Sequence, residues 1–150
     1  IYDHFSVVYE YADGARLIGS CRQQPGCVND ISADVLGTKG RSRLTERTKG
    51  LSIESGGSTW YYDGPKNQMY QTEHDELFAG IRRGTPVNNG EYMARSSLLA
   101  IMGRMAAYSG QLVTWQAALN SKEDLTPSRY AWDAPPPASE IAVPGRTRVV

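Results

Sequence analysis

Residues 70–110, YQTEHDELFAGIRRGTPVNNGEYMARSSLLAIMGRMAAYSG, have the pattern of two amphipathic helices joined by a loop. In the first helix, Leu77, Phe78 and Ile81 recur at helical spacing. We expect Gly84 and the following Thr85-Pro86 to end it, because glycine suits the left-handed position after a helix and proline cannot continue one. The second helix carries one stripe at helical spacing, formed by Met93, Ser97, Leu98, Ile101, Met105 and Tyr108.

Three residues mark the boundaries of the second helix. Asn89 is the expected N-cap, and Glu91 suits the positive N-terminal end of the helix dipole. Gly110 is the expected glycine just past the last turn.

The first 24 residues predict a β-hairpin. Residues 1–12, IYDHFSVVYEYA, alternate and are rich in strand-forming side chains, and residues 15–24, ARLIGSCRQQ, form the return strand. Asp13-Gly14 is a strong signal for a two-residue turn, and such a turn pairs His4 with Gln23. We expect the apolar face to meet the helices. The opposite face has a mixed polar and apolar composition and carries His4, and we expect it to line a solvated site or a partner surface.

The residues His4, Arg22 and Gln23 are the candidate substrate-binding set. On the predicted register they meet at the end of the hairpin, with Gln24 alongside, just before the Pro25-Gly26 break. Strand ends and the loops after them often carry binding residues. Imidazole, guanidinium and amide groups together can hold a polyol, a sugar or a carboxylate through directed hydrogen bonds. A solvated sheet edge or a subunit contact is the alternative interpretation.

Further strands precede the helices. Residues 30–36 and 41–46 form one hairpin around Gly37-Thr38-Lys39-Gly40, and residues 51–55 and 58–62 form another around Gly56-Gly57. A phosphate loop at residues 37–40 is disfavoured, because the G-x-x-x-x-G-K-[ST] spacing is absent. Strands followed by helices predict an α+β fold, with a mainly antiparallel open β-sheet and helices packed on one face. Residues 114–119 predict a short helix with Trp115 packed inward.

Two further groups have both a functional and a structural interpretation. His74, between Glu73 and Asp75, has the residue types of a general base or a metal ligand. The HExxH spacing is missing, however, so anchoring of the helix start is favoured. The aromatic run Trp60-Tyr61-Tyr62 suits either sugar stacking or plain strand packing.

Composition excludes several classes of protein. The chain has 150 residues, 40% hydrophobic and 21% charged, with 16 basic and 16 acidic side chains. The charge balance argues against electrostatic binding to nucleic acid or to an anionic membrane. No apolar run approaches the roughly 20 residues of a transmembrane helix. We expect a soluble protein, cytoplasmic or periplasmic, with the compartment unknown.

Cys21 and Cys27 are expected to be free, partly buried thiols, with a disulfide as the alternative; no metal site is expected.

The motifs in order resemble the C-terminal half of the glucose–fructose oxidoreductase / inositol dehydrogenase (Gfo/Idh/MocA) family. Y-x-x-E-H-x-x-L-x-x-x-I-R-x-G-x-P-x-N begins at Tyr70, A-x-x-S at Ala94 and G-R-x-A-A-Y-S-G at Gly103. YADG at 11–14, LGTKG at 36–40, TWQAAL at 114–119 and AVPG at 142–145 extend the resemblance over nearly the whole chain.

The resemblance implies a substrate-binding and oligomerising domain of an NAD(P)-dependent oxidoreductase acting on sugars, polyols or related compounds. Residues 1–134 would form that domain, and residues 135–150 an extended, proline-containing tail. The family's dinucleotide fingerprint, catalytic lysine and acid–base pair would lie upstream of Ile1. No catalytic or cofactor-binding residue is therefore expected in this chain, which alone would be inactive. NAD or NADP is expected in the full-length enzyme, as is a homo-oligomer formed through the open sheet face.

Two alternatives remain open. One is a redox-neutral sugar-modifying enzyme of the same family that retains a tightly bound NAD. The other is a non-catalytic dimerisation or binding module, which is favoured if the chain is complete. Substrate identity and the choice between NAD and NADP are not set by this sequence.

Overall fold

The computed structural model describes residues 2–46, 50–137 and 141–149. Within them, all strand pairings are antiparallel, and the strands form a two-stranded sheet β1-β2 and a four-stranded sheet β3-β4-β5-β6. The expected α+β class with open antiparallel sheet is confirmed, with the strands divided between two sheets. The elements are β1 (His4–Glu10), β2 (Arg16–Arg22), β3 (Ser32–Gly37), β4 (Gly40–Thr45), β5 (Ser52–Ser55), β6 (Ser58–Tyr61), α1 (Met69–Arg82), α2 (Gly90–Ser109) and α3 (Trp115–Leu119).

The chain divides into two compact units. The first consists of Ile1–Pro25 and Asn88–Val150, and therefore contains β1, β2, α2 and α3. The second is the continuous segment Gly26–Val87, which contains the four-stranded sheet and α1. Of the expected tail at 135–150, residues 138–140 and 150 lie outside the described residues.

The register of the first hairpin differs from the predicted one by one residue. His4 pairs with Arg22 and not with Gln23. The reason is the loop, which has three residues: the Tyr11 amide donates to the Ala15 carbonyl at 3.0 Å, and the Gly14 amide donates to the Tyr11 carbonyl at 2.9 Å. Gly14 has φ +87°, the left-handed conformation that closes a three-residue hairpin loop. Because side chains alternate, this shift changes which β2 residues share a face with His4.

The apolar face of β1 meets α2, as expected. Its alternate residues Phe5, Val7 and Tyr9 are half-buried, whereas the residues between them are exposed. The Tyr9 hydroxyl donates to the Leu99 carbonyl at 3.1 Å. Gly103 allows this close approach, because a Cβ there would overlap the Tyr9 hydroxyl.

The core of the first unit lies around the C-terminal half of α2. Met105, Ala118 and Val149 are buried together, with Leu98, Met102, Tyr108 and Val113 packed against them. The chain near its C-terminus is part of this core: the Gly145 amide donates to the Ser109 carbonyl at 2.7 Å, and the Ala142 carbonyl accepts from the Tyr2 hydroxyl at 2.6 Å. Of the predicted stripe of α2, Leu98, Met105 and Tyr108 are packed in this core, whereas Met93 and Ile101 are 64% and 42% exposed.

Helices α1 and α2 both end at the glycines that the sequence predicted, Gly84 and Gly110. After α1, the Gly84 amide donates to the Ile81 carbonyl and the Thr85 amide to the Gly80 carbonyl, which is the Schellman pattern. After α2, Gly110 is left-handed with φ +68°. Asn89 is the N-cap of α2 but makes no side-chain capping bond; instead, Oδ1 of its neighbour Asn88 accepts from the Gly90 amide at 3.0 Å.

The four strands of the second unit form a β-meander, and tight turns link β3 to β4 and β5 to β6. Thr38-Lys39 links β3 to β4, and Gly56-Gly57, both with positive φ, link β5 to β6. The Gly37–Gly40 segment is thus a hairpin turn, as predicted. Among the described residues, no helix is both long enough and apolar enough to cross a bilayer.

Candidate functional site

Polar side chains gather at the open end of the β1–β2 hairpin, opposite its tight loop. We call Asp3, His4, Arg22 and Gln24 the hairpin-end cluster. His4 is the first residue of β1 and Arg22 the last residue of β2, so the ladder places them directly opposite each other. Cross-strand partners leave the same face of a sheet, and both residues are exposed.

Asp3 connects His4 to Gln24. Oδ1 of Asp3 lies 2.7 Å from Nδ1 of His4, and Oδ2 accepts from Nε2 of Gln24 at 3.0 Å. Each carboxylate oxygen therefore has its own partner. Nε2 of Gln24 also lies 3.4 Å from Nδ1 of His4, which makes the three side chains one compact group.

This geometry assigns the proton positions on His4. An ionised carboxylate can only accept, so Nδ1 must carry the hydrogen that is shared with Oδ1 of Asp3. In the neutral ring, Nε2 is then the acceptor. A His4 side chain that is 67% exposed thus offers an oriented acceptor to a hydroxyl group of a ligand.

The same contacts stabilise the charge on Asp3. The hydrogen bond from Gln24, followed by the bond from His4, lowers the pKa of the Asp3 carboxyl below its usual value. When ionised, the Asp3 carboxylate keeps the His4 ring in one orientation, and Arg22 adds a permanent positive charge on the same face.

The structure brings together two of the three predicted residues. His4 and Arg22 are neighbours, but Gln23 follows β2, and the alternation of the strand places it on the opposite face from Arg22. Its backbone amide donates to the Asp3 carbonyl at 2.7 Å. Asp3 was missed, although a carboxylate next to a histidine is a signal that could have found it; Gln24 was noted only as a neighbour.

A groove lies beside β1 in the same unit. It has a volume of about 570 Å³ and is lined mainly by apolar groups of β1, α2 and the segment before α3, including Val7, Leu99, Met102, Ala106 and Val113. Burial, and next the neighbouring Tyr11, raises the pKa of Tyr9 in this groove. Because its lining is mainly apolar, the groove suits apolar contact better than acid–base chemistry.

The remaining candidate residues have structural contacts. Nδ1 of His74 lies 2.7 Å from the Tyr70 carbonyl, one turn earlier in α1. The Trp60 and Tyr62 rings pack edge to face at 6.3 Å, and the Tyr62 hydroxyl donates to the Pro65 carbonyl. Cys21 and Cys27, both within the described residues, are exposed thiols outside any disulfide, so the expectation that they are partly buried is wrong.

The described residues contain neither a Rossmann-type dinucleotide fold nor a group of three metal ligands. A dinucleotide fold needs parallel strands and a glycine-rich turn into a helix, whereas each strand pairing in the described residues is antiparallel. No three His, Cys, Asp or Glu side chains in residues 2–46, 50–137 and 141–149 come together as metal ligands.

Comparison of the chain with protein-family models, curated proteins and solved structures gives no match.

Proposed function

We propose that the hairpin-end cluster binds a hydroxylated small molecule that carries a carboxylate, such as a sugar acid. The observation that supports this most strongly is the chain of contacts from Gln24 through Asp3 to His4 on an exposed face. A histidine oriented by a carboxylate accepts from a hydroxyl group, and an arginine on the same face binds a carboxylate.

In a longer protein, this binding would serve an NAD(P)-dependent oxidoreductase acting on sugars, polyols or related compounds. The sequence resemblance supports that interpretation, and the antiparallel sheet with helices is compatible with a substrate domain. The nicotinamide cofactor would be bound outside the described residues. A redox-neutral enzyme that keeps its NAD tightly bound would use the same substrate contacts.

Calorimetric titration of the chain with gluconate and with sorbitol tests the binding proposal. The two ligands share a polyol chain, but only gluconate carries a carboxylate. We expect gluconate to bind more tightly than sorbitol, and Arg22→Gln to remove most of that difference. His4→Ala should weaken both ligands. The matched control is His74→Ala, since His74 is the other histidine of the chain and lies on α1.

The oxidoreductase interpretation needs a second test in the intact enzyme that carries this domain. Substitution of His4, Arg22 and Gln24 should raise KM or lower kcat/KM for the substrate, because these residues contact substrate and not cofactor. Unchanged kinetics would overturn the substrate role. An intact protein that binds gluconate but neither turns over NAD(P) nor retains it would be a binding module, and both enzyme interpretations would be excluded.

The second candidate function is that of a non-catalytic assembly module. The exposure of apolar side chains on α1 favours it. Phe78 and Ile81 of α1 are 50% and 54% exposed, although they form the apolar stripe that a helix normally buries. Large exposed apolar patches often mark interaction sites. Assembly in which a partner covers this stripe of α1 would be compatible with its exposure. Light scattering tests it: a strict monomer at high concentration would exclude the assembly module.

A further inference from the structure

The outer edge of β1 carries backbone groups that the hairpin does not use. Asp3 and Tyr11, on either side of β1, both bond to the return arm, since the Gln23 amide donates to the Asp3 carbonyl and the Tyr11 amide to the Ala15 carbonyl. Antiparallel ladders alternate, so the odd-numbered residues between them also face β2. The amides and carbonyls that face outward belong to His4, Ser6, Val8 and Glu10.

This edge is open in the described structure. Among residues 2–46, 50–137 and 141–149, no strand pairs with β1 other than β2, and no hydrogen bond reaches those outward backbone groups. An open edge of this length is a template for a further strand. The groove beside β1 adds an apolar surface on the face that carries Val7 and Tyr9.

We propose that the edge of β1 pairs with β1 of a second copy of this chain, in antiparallel orientation about Val7. The two hairpins then form one continuous four-stranded sheet, β2-β1-β1-β2. The four outward residues of each strand become hydrogen-bonded to the partner, and no edge of β1 remains unpaired. The pairing requires no bound ligand, and it uses the strand edge and not the sheet face.

The sequence of β1, HFSVVYE, is complementary to itself in this register. On the exposed face His4 lies opposite the partner's Glu10, so a protonated His4 ring would donate from Nε2 to that carboxylate, which within its own chain pairs with Arg16 at 2.9 Å. On the apolar face Phe5 lies opposite the partner's Tyr9, and Val7 meets its own copy on the two-fold axis. Aromatic and oppositely charged cross-strand pairs are the ones that stabilise sheets. The same face places the partner's Phe5 over the groove that Leu99 and Met102 line.

Registers shifted by two residues lose this complementarity. Centring the pair on Ser6 or on Val8 also satisfies the outward backbone groups, but neither register pairs His4 with Glu10 or Phe5 with Tyr9. The charge and aromatic pairing therefore selects the register about Val7. In that register Ser6 lies opposite the partner's Val8.

Disulfide trapping tests the register directly. Two proteins are prepared in a Cys21→Ser, Cys27→Ser background, one with Ser6→Cys and one with Val8→Cys. A hydrogen-bonded antiparallel pair has Cα atoms about 5.5 Å apart, within the range that a disulfide spans. Under oxidised glutathione we expect a mixture of the two proteins to form a linked dimer, while each alone stays unlinked. Linking of either protein alone, or no linking in the mixture, would overturn the proposal.

A variant at the edge provides the second measurement. Proline is tolerated on an edge strand where its missing amide faces outward, so Val8→Pro should leave the hairpin intact and block the second copy. Val8 is 60% exposed, and Val8→Thr is the matched control because it keeps the amide. Sedimentation should show a dimer for the wild type and Val8→Thr and a monomer for Val8→Pro. A monomeric wild type at high concentration would overturn the proposal.

Discussion

The Tyr9 hydroxyl occupies the space that a side chain at position 103 would fill. It donates to the Leu99 carbonyl at 3.1 Å, and a Cβ built on Gly103 would overlap its oxygen. The Tyr9 hydrogen bond and the absence of a side chain at Gly103 therefore allow β1 to pack closely against α2. This contact positions the hairpin whose far end carries the hairpin-end cluster.

Substitution of this pair should give strongly non-additive stabilities. Tyr9→Phe should cost roughly 0.5–1.5 kcal/mol, the usual net value of one hydrogen bond. Gly103→Ala alone should destabilise by about 1–3 kcal/mol through overpacking. In the Tyr9→Phe background the nearest atoms to the new Cβ lie 3.4 and 3.5 Å away, so Gly103→Ala should be close to neutral there. Urea unfolding of the four proteins measures the coupling; additive effects would show that the two residues are not in contact.

The end of α1 should depend on the left-handed conformation of Gly84. Its φ is +72°, and no atom lies within 4 Å of the position that a Cβ would take, so a substitution there acts through backbone conformation alone. Gly84→Ala should destabilise by about 1–2 kcal/mol, the cost of the left-handed region for an ordinary residue. Gly84→Asn should cost less, because asparagine tolerates that region better. Thermal unfolding followed by circular dichroism compares the variants, and equal effects of Ala and Asn would contradict this account of the helix end.

The pKa of Asp3 should depend on Gln24 and not on Gln23. Because hydrogen bonds lower the pKa in the folded protein, the stability that Asp3 contributes is present above about pH 3.9 and is lost as pH falls through the lowered pKa. Gln24→Ala should raise the Asp3 pKa towards its usual value, whereas Gln23→Ala should leave it unchanged. Carbon-13 NMR titration of the Asp3 carboxyl measures both. A larger shift from Gln23→Ala would support the sequence-derived register over the structural one.

Local turn chemistry explains what the sequence predicted well and where it failed. Gly84 and Gly110 end their helices through their own conformation, so no distant contact was needed to place them. Asp13-Gly14 fits both a two-residue turn and the last two positions of a three-residue loop. The structure uses the second, with the Asp13 carboxylate accepting from the Ala15 amide at 3.0 Å. That one-residue difference removed Gln23 from the candidate site.

The sequence pattern did not predict which strands pair with each other. Alternation identified the six strands of the described residues, but it does not tell which strand edges meet, and these strands form two sheets. In the same way, residue types suggested His4 and Arg22, while the role of Asp3 depends on the contacts that its carboxylate makes with His4 and Gln24.

Histidine-selective nitrogen-15 NMR during a gluconate titration tests the central claim, which is that the hairpin-end cluster binds a hydroxylated acid. The chain has two histidines, His4 and His74, so the spectrum contains an internal control. We predict that the Nε2 signal of His4 shifts in a saturable way while both signals of His74 stay in place. A titration that leaves His4 unchanged, or that moves both histidines equally, would contradict the account.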